Sequence, residues 1–256
     1  MFADTHCHLD AAEFDDSQAA LVQAAQAAGV GRIVVPAVAR TNFDTVHQLC
    51  EQFPACAPAY GIHPMYVAEA QPEDLEALHG YLAQPSTVAV GEIGLDFFIE
   101  PYERVRQEYF FTEQLKLARE SGLPVLLHIR RAQDAILKLL RQNKVCGGIA
   151  HAFSGSRQQA EEFIRLGFKL GFGGAMTHSR ATRLRELATT LPLESIVLET
   201  DAPDIPPAFL KNGEPNKPEY LPRIAQTLAE LRGMPLEEIA RITTENAMAA
   251  LPRLSP

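Results

Sequence analysis

Short apolar runs alternate with longer amphipathic stretches along the whole chain, and this alternation predicts eight β-strands separated by α-helices. The predicted strands are continuously apolar, as in GRIVVPAV (31–38) and PVLLHIR (124–130). Buried parallel strands that are covered on both faces have this pattern, whereas half-exposed strands alternate apolar and polar residues. The predicted strands occupy residues 2–10, 31–38, 55–64, 87–96, 124–130, 147–151, 169–176 and 196–201.

Eight strand–helix units are the number that closes a TIM barrel. Two further helices are predicted near 217–232 and 235–250, and no break in composition divides the chain. We therefore predict an α/β fold, a single (β/α)8 TIM barrel with extra C-terminal helices, in one domain over residues 1–256. A doubly wound open sheet is the alternative, because periodicity does not show closure. No Gly-x-Gly-x-x-Gly pattern follows the first strand, which disfavours a dinucleotide-binding fold.

The composition limits the possible partners. A formal net charge of -9 argues against binding of nucleic acid through a broad basic surface, but leaves open a local basic cleft or metal-mediated phosphate binding. The four cysteines form no Cys-x-x-Cys pair, and the N-terminus lacks a basic, signal-like region. No apolar run reaches the roughly 18 residues of a membrane span. We therefore expect a cytoplasmic protein with reduced thiols, without a membrane partner or an evident protein partner.

The first predicted strand contains two imidazoles, His6 and His8, at i and i+2 spacing. This spacing places both rings on the same face of a strand. Two adjacent imidazoles together with a carboxylate can bind one divalent cation. Because a His-x-His pair also occurs by chance, it becomes informative only if other strands direct ligands to the same place.

Other predicted strands carry potential ligands at or near their C-terminal ends, where the active sites of TIM barrels lie. Glu92 is the most informative of them, since a carboxylate buried in an apolar strand is costly unless it pairs with a cation. Arg130 shares a strand face with His128 by its i, i+2 spacing, and either points toward the same opening or forms a salt bridge at the rim. The candidate ligands are His6, His8, His63, Glu92, His128, His151 and Asp201.

Several other polar residues have a structural explanation that is at least as good as a functional one. His47 and His79 fall in the middle of predicted helices and are expected on the surface. His178 follows the seventh predicted strand, where it either faces the site or belongs to a loop. Asp10 can cap or pair, and Asp204 either supports the site or forms a turn.

Four ordered motifs resemble those of the TatD-type metal-dependent hydrolases and deoxyribonucleases, which belong to the amidohydrolase-like superfamily. The motifs are HCHLD (6–10), GIHP (61–64), GEIGLD (91–96) and LETDAP (198–203). The resemblance extends over essentially the whole chain. It implies an amidohydrolase-like barrel that binds two divalent metal ions per subunit.

The resemblance also implies roles for individual residues. The expected ligands of one ion are His6, His8 and Asp201. The expected ligands of the other ion are His128 and His151, with Glu92 as the bridge between the ions. The residues that resemble the family's substrate-binding, phosphate-contacting positions are His63 and Arg130. The chain departs from many members at 65–66, where Met-Tyr replaces a second histidine or an acid, and this departure bears on substrate preference.

The expected function is that of a divalent-metal-dependent hydrolase that uses a metal-activated water, with Asp201 and Glu92 as catalytic residues. Asp201 is the expected proton acceptor. The leading hypothesis is a phosphodiesterase or deoxyribonuclease that acts on single-stranded or frayed DNA ends as a 3'-5' exonuclease. The alternatives are a small-molecule C–N or carboxyl-ester hydrolase, which cleaves an amide or lactone at the same dinuclear site, and a metal-bound binding or regulatory protein without turnover. Imidazole-rich ligation suits Zn²⁺, Mn²⁺ or Fe²⁺ better than Mg²⁺, whereas the resemblance implies activity supported by Mg²⁺.

Overall fold

The computed structural model describes residues 1–15, 17–100 and 103–254. Within these residues the chain forms one sheet of eight parallel strands, in which each strand pairs with the next along the sequence. The strands are β1 (Phe2–Asp4), β2 (Val30–Pro36), β3 (Cys56–Tyr60), β4 (Ala89–Asp96), β5 (Val125–Arg130), β6 (Gly148–Ala150), β7 (Phe168–Phe172) and β8 (Ile196–Leu198).

Nine α-helices lie within the same described residues, and the first eight follow the eight strands in turn. They are α1 (Gln18–Ala27), α2 (Phe43–Gln52), α3 (Pro72–Leu82), α4 (Arg104–Ser121), α5 (Gln133–Gln142), α6 (Arg157–Arg165), α7 (Thr182–Thr190), α8 (Leu221–Arg232) and α9 (Leu236–Ala250). None of these helices combines the length and the apolar character that crossing a bilayer requires. The amphipathic pattern of residues 101–121 predicts one of these helices, and the observed α4 begins at Arg104, while positions 101–102 lie outside the described residues.

Hydrogen bonds between the first and last strands bring the two edges of the sheet together. The backbone N–H of Thr5 donates to the carbonyl of Leu198 over 3.1 Å, and that of His8 donates to the carbonyl of Ala202 over 2.8 Å. Cys7 and Ala202 form an isolated parallel bridge. The sheet is therefore a nearly closed barrel, which confirms the predicted TIM barrel and excludes the open sheet.

The extra C-terminal helix α9 packs against the N-terminal end of the barrel. Inward-facing strand residues such as Val34 and Leu126 share one apolar cluster with Ala247 and Leu251. The side-chain amide of Asn246 donates to two backbone carbonyls in the 193–196 segment, each over 2.8 Å. One end of the barrel is thus filled by apolar side chains, which leaves the C-terminal end of the strands for polar groups.

Several strands are shorter than predicted: β3 ends at Tyr60, so His63 lies beyond it, β6 ends at Ala150 and β7 ends at Phe172. For β1 and β8 a buried carboxylate explains the early end. β1 ends at Asp4 rather than near residue 10, and β8 ends at Leu198 rather than at Asp201. Asp4 is fully buried and accepts hydrogen bonds from the backbone N–H groups of His6 (3.3 Å) and Thr200 (2.9 Å), and from the Thr200 hydroxyl (2.6 Å). These bonds occupy N–H groups beyond the strand ends, so the chain leaves the regular ladder there without losing its hydrogen bonds.

Candidate metal centre

A cavity of about 910 Å³ opens at the C-terminal ends of the strands, and six of the seven predicted ligands line it, while the seventh, His6, contacts His8 and Glu92. His6 and Glu92 are almost fully buried, while His8 and His128 are partly exposed to the cavity. His151 follows β6 by one residue rather than lying within the strand. The structure therefore brings together all seven residues that the sequence placed at strand ends.

Four ligand atoms converge on one side of the Glu92 carboxylate. The Nε2 atoms of His6 and His8 lie 3.3 Å apart, and they lie 3.1 Å and 3.5 Å from Glu92 Oε2. Asp201 Oδ1 lies 3.7 Å and 3.8 Å from the same two nitrogens. A tetrahedral shell with metal–ligand bonds of about 2.0–2.1 Å separates its ligand atoms by roughly 3.3 Å. The spacing of these donors therefore fits a single divalent cation.

A second group of nitrogens lies around the other oxygen of Glu92. The distances to Glu92 Oε1 are 2.8 Å from His128 Nδ1, 3.5 Å from His63 Nε2 and 3.7 Å from His151 Nε2. The ring of His151 stacks on that of His6 with centroids 3.7 Å apart, so the two groups are in contact. Both oxygens of one buried carboxylate thus face imidazole nitrogens, one group on each side.

The hydrogen bonding of His63 distinguishes it from the other histidines of this second group. The backbone N–H of Met65 donates to His63 Nδ1 over 3.1 Å. A neutral imidazole that accepts at Nδ1 carries its proton on Nε2, and burial lowers the pKa of His63 to about 4. Nε2 therefore points toward the cluster as a hydrogen-bond donor, which suits contact with substrate oxygen better than metal ligation.

Two carboxylates that the sequence analysis did not single out orient the other histidines. Asp96 Oδ2 lies 3.1 Å from His128 Nε2, and Glu199 Oε1 lies 3.1 Å from His151 Nδ1. Each carboxylate faces the ring nitrogen that is turned away from Glu92, as in metal sites where the second nitrogen donates to an acid. Gly171 leaves room for Glu199, since a Cβ there would lie 2.1 Å from Glu199 Oε2.

Burial and neighbouring charges shift the pKa values of the cluster in opposite directions. Burial lowers the pKa of His6 to about 4. For His8 and His151 the effect of burial is outweighed by nearby carboxylates, chiefly Glu92 for His8 and Asp201 for His151, which raise the two pKa values to about 9 and about 10. The surrounding histidines, His6 foremost, outweigh burial at Glu92 and hold its pKa well below the usual range. Burial raises the pKa of Asp201 to about 6.

Arg130 lies at the opening of the cavity with its guanidinium stacked on an aromatic ring. Its Cζ atom lies 3.8 Å from the centre of the Phe98 ring, and Cζ of Arg131 lies 4.4 Å from the same ring. Within the described residues, no carboxylate lies within 4 Å of Arg130, and Arg130 is the only Lys or Arg that lines the cavity. The open question for Arg130 is thereby answered, because it faces the opening and forms no rim salt bridge there.

The remaining polar candidates lie away from the centre or at its edge. His47 lies 3.5 Å from Glu51 on α2, and His79 is exposed on α3. His178 Nε2 lies 3.0 Å from the carbonyl of Pro206, which is a loop contact. Asp10 and Asp204 line the cavity, and Asp10 accepts a 2.8 Å hydrogen bond from the side chain of Asn42.

A parallel barrel with a buried cluster of imidazoles and carboxylates at its strand ends is typical of metal-dependent hydrolases. A family model described as TatD related DNase matches residues 3–252. The chain is 44% identical to the metal-dependent hydrolase YjjV of Escherichia coli (strain K12), over 96% of this chain and 95% of that protein. The crystal structure of the TatD homologue YjjV from E. coli K12 superposes with a TM-score of 0.95, covering 100% of this chain and 98% of that one.

A further relative carries a more specific name. The 3'-5' ssDNA/RNA exonuclease TatD of Klebsiella pneumoniae (strain 342) is 35% identical over 239 residues, which are 90% of each chain. The chain belongs to the TatD-related DNase family and is a metal-dependent hydrolase.

Proposed function

We propose that this protein is a phosphodiesterase that removes nucleotides from single-stranded or frayed DNA ends, in the 3'-5' direction, with two divalent cations per subunit. The observation that carries the proposal is the placement of Glu92. One of its oxygens faces His6 and His8, and the other faces His128 and His151. Sites that hydrolyse phosphodiesters commonly hold two metal ions about 3.5–4 Å apart, and a carboxylate with ligands on both sides suits such a pair.

Each ion has its own set of protein ligands in this proposal. His6, His8 and Asp201 would hold one ion, His128 and His151 would hold the other, and Glu92 would contribute a ligand to both. The ions would be Mg²⁺, Mn²⁺ or Zn²⁺, and they would supply an activated water at neutral pH and offset charge on the phosphoryl group. Asp96 and Glu199 fix the rings of His128 and His151, so that the nitrogens facing Glu92 present their lone pairs.

Asp201 and Glu92 have catalytic roles in the proposed reaction. Asp201 Oδ1 lies between the two groups, 3.7 Å from His6 Nε2 and 3.8 Å from His151 Nε2. A carboxylate in this position accepts the proton of the attacking water. Glu92 stays ionised beside the histidines, and its two oxygens fix the positions of the two groups of ligand atoms relative to each other.

His63 and Arg130 contact the substrate phosphate. The Nε2–H of His63 donates to a phosphoryl oxygen, and the guanidinium of Arg130 offers paired donors that match phosphate geometry. Among the described residues Arg130 is the only Lys or Arg that lines the cavity, so binding rests on few phosphate contacts. Each contact to a single strand contributes about -0.7 to the log–log slope of affinity against salt. We expect two or three contacts and a slope of roughly -1.5 to -2, which suits a strand end that enters the cavity.

The test compares an end-labelled single strand with a covalently closed single-stranded circle of the same sequence, with Mg²⁺ or Mn²⁺. The expected result is stepwise shortening of the linear strand from its 3' end and no cleavage of the circle. A 3'-terminal block on the linear strand should stop the reaction. The Asp201→Asn variant, purified in parallel, controls for contaminating nucleases.

Two outcomes contradict the proposal. Equal cleavage of the circle refutes the end-directed activity. Failure to cleave either substrate refutes nuclease activity, and the same protein is then assayed on small phosphoesters, lactones and amides.

A further inference from the structure

Three of the residues that line the active-site cavity have large, exposed apolar side chains. Met65, Tyr66 and Ile99 line the cavity and are 51%, 44% and 42% exposed. We call these three residues the apolar rim. Large apolar groups exposed together inside a functional cavity commonly mark a contact surface for a ligand.

Two residues of the apolar rim contact His63, the proposed substrate-binding histidine. Met65 and Tyr66 belong to the short 3-10 helix Pro64–Tyr66 that follows His63. The backbone N–H of Met65 donates to His63 Nδ1, and that of Tyr66 donates to the His63 carbonyl over 2.9 Å. The Tyr66 ring lies 6.2 Å from the His63 ring, at 71° to it. A phosphate on His63 therefore places the attached nucleoside next to Tyr66.

Charge around the opening favours the same orientation of a nucleotide. Arg130 lines the cavity and stacks on Phe98, the chain neighbour of Ile99 in the apolar rim, and Asp10, Glu13 and Asp204 also line the cavity. A phosphate is attracted to the side of Arg130 and repelled from the acidic residues. The base is the uncharged, flat part of a nucleotide, and it fits an apolar surface next to a phosphate site.

We propose that the apolar rim is a nucleobase subsite, in which the unpaired base next to the scissile phosphate stacks on Tyr66 and packs against Met65 and Ile99. This inference rests on the proposed function and specifies the substrate of that site. Aromatic side chains bind unpaired bases with little sequence preference, because every base has a π-face. A paired base is not free to stack there, so the subsite explains why the strand end must be single-stranded or frayed.

The test uses an oligonucleotide with 2-aminopurine at its 3' end, because stacking quenches the fluorescence of this base. A phosphorothioate at the last linkage slows its hydrolysis, so binding is read separately from cleavage. Wild-type holoenzyme should quench the probe. Tyr66→Ala should abolish the quenching and weaken binding about tenfold, within the range for loss of one aromatic–base stack. Tyr66→Phe keeps the ring and should restore both.

Kinetics with a 3'-terminal abasic residue provide the second measurement. The abasic end should raise KM for wild-type enzyme by about tenfold, and Tyr66→Ala should add nothing further on that substrate. Tyr109→Ala is the matched control, since Tyr109 is 46% exposed on α4 but does not line the cavity. It should behave as wild type, and thermal melting verifies that every variant is folded.

The outcomes separate this inference from the proposed function. Equal KM values for base-bearing and abasic ends, or unchanged quenching in Tyr66→Ala, overturn the nucleobase subsite even if the protein is an exonuclease. If no oligonucleotide is cleaved, the proposed function fails. In that case Tyr66-dependent quenching still supports the subsite, and quenching that is independent of Tyr66 overturns it.

Discussion

Replacing Asp96 with asparagine should weaken one cation site and leave the other intact. Asp96 Oδ2 lies 3.1 Å from His128 Nε2, while Oδ1 accepts from the backbone N–H groups of Phe98 (2.8 Å) and Ile99 (3.4 Å). All three partners are donors when His128 turns the lone pair of Nδ1 toward Glu92. A carboxylate satisfies all three, whereas asparagine has a single oxygen and a donating NH₂ group.

Either orientation of the new amide places a donor against a donor. With its NH₂ toward His128, the imidazole must accept at Nε2 and carry its proton on Nδ1, which removes the lone pair needed for a metal. With its NH₂ toward the loop, the backbone donors of 98–99 lose their acceptor at a cost of about 1–3 kcal/mol. Loss of such an orienting carboxylate weakens metal binding by about 10- to 100-fold, which is about 1.4–2.8 kcal/mol.

The assay is a competition titration of the metal-loaded protein against a chromophoric chelator near neutral pH. We expect one of two affinities to fall about 10- to 100-fold while the other is unchanged. Asp74→Asn is the matched control, because Asp74 accepts a 2.8 Å hydrogen bond from the Gln71 backbone at the start of α3 but contacts no histidine of the cluster. Two unchanged affinities in Asp96→Asn would refute the orienting role, and loss of both would refute the division into two sites.

Three further predictions concern Asp201 as the general base, Arg130 as a phosphate contact, and the protons that metal binding displaces from the histidines. Asp201→Asn should keep the metals and lower turnover by about 100-fold or more, as expected for loss of acid–base catalysis. Arg130→Ala should weaken binding of single strands and flatten the log–log salt slope by about 0.7. Metal added to the stripped protein at neutral pH should release protons, because the raised pKa values of His8 and His151 keep these ligands protonated until a cation replaces the proton. Acid should correspondingly expel the metals.

Each of these has its own assay and contradicting result. For Asp201→Asn we would measure the metal content and the single-turnover rate. A wild-type rate with both metals retained would exclude Asp201 as the general base. For Arg130→Ala we would titrate binding of single strands at several salt concentrations. An unchanged slope of log affinity against log salt would show that no phosphate contact was lost. Calorimetry in buffers of different ionisation enthalpy counts released protons. Metal binding without proton release at neutral pH contradicts the raised pKa values.

The sequence predicted the fold because the barrel depends on a repeated, local pattern. Continuous apolar runs such as 31–38 and 124–130 mark strands buried on both faces, and the structure places β2 and β5 there. The convergence of the ligands was predictable for a related reason. Parallel strands of a barrel end on the same side, so residues at separate strand ends must lie close together.

The contacts that refine the site depend on which atoms meet in space. Asp96 and Glu199 stood in recognisable motifs, and Glu199 lies two residues before Asp201, but no sequence pattern tells which histidine nitrogen each carboxylate faces. The buried Asp4 accepts hydrogen bonds from His6, two positions away, and from Thr200, 196 positions away, and these bonds end β1 and β8 early. The stacking of Arg130 on Phe98 joins the last residue of β5 to the loop after β4, and loop conformation is only weakly encoded by local sequence.

Metal stoichiometry tests most directly whether Glu92 is shared by two cations. Wild-type protein, Glu92→Gln and His6→Ala are loaded with Mn²⁺ or Zn²⁺, desalted and measured by elemental analysis against protein concentration. We expect about two ions per chain in the wild type, because the ligand atoms form two groups around one carboxylate. His6→Ala should lose mainly one ion, and Glu92→Gln should lose occupancy at both sites. Two fully retained ions in Glu92→Gln would contradict the shared site.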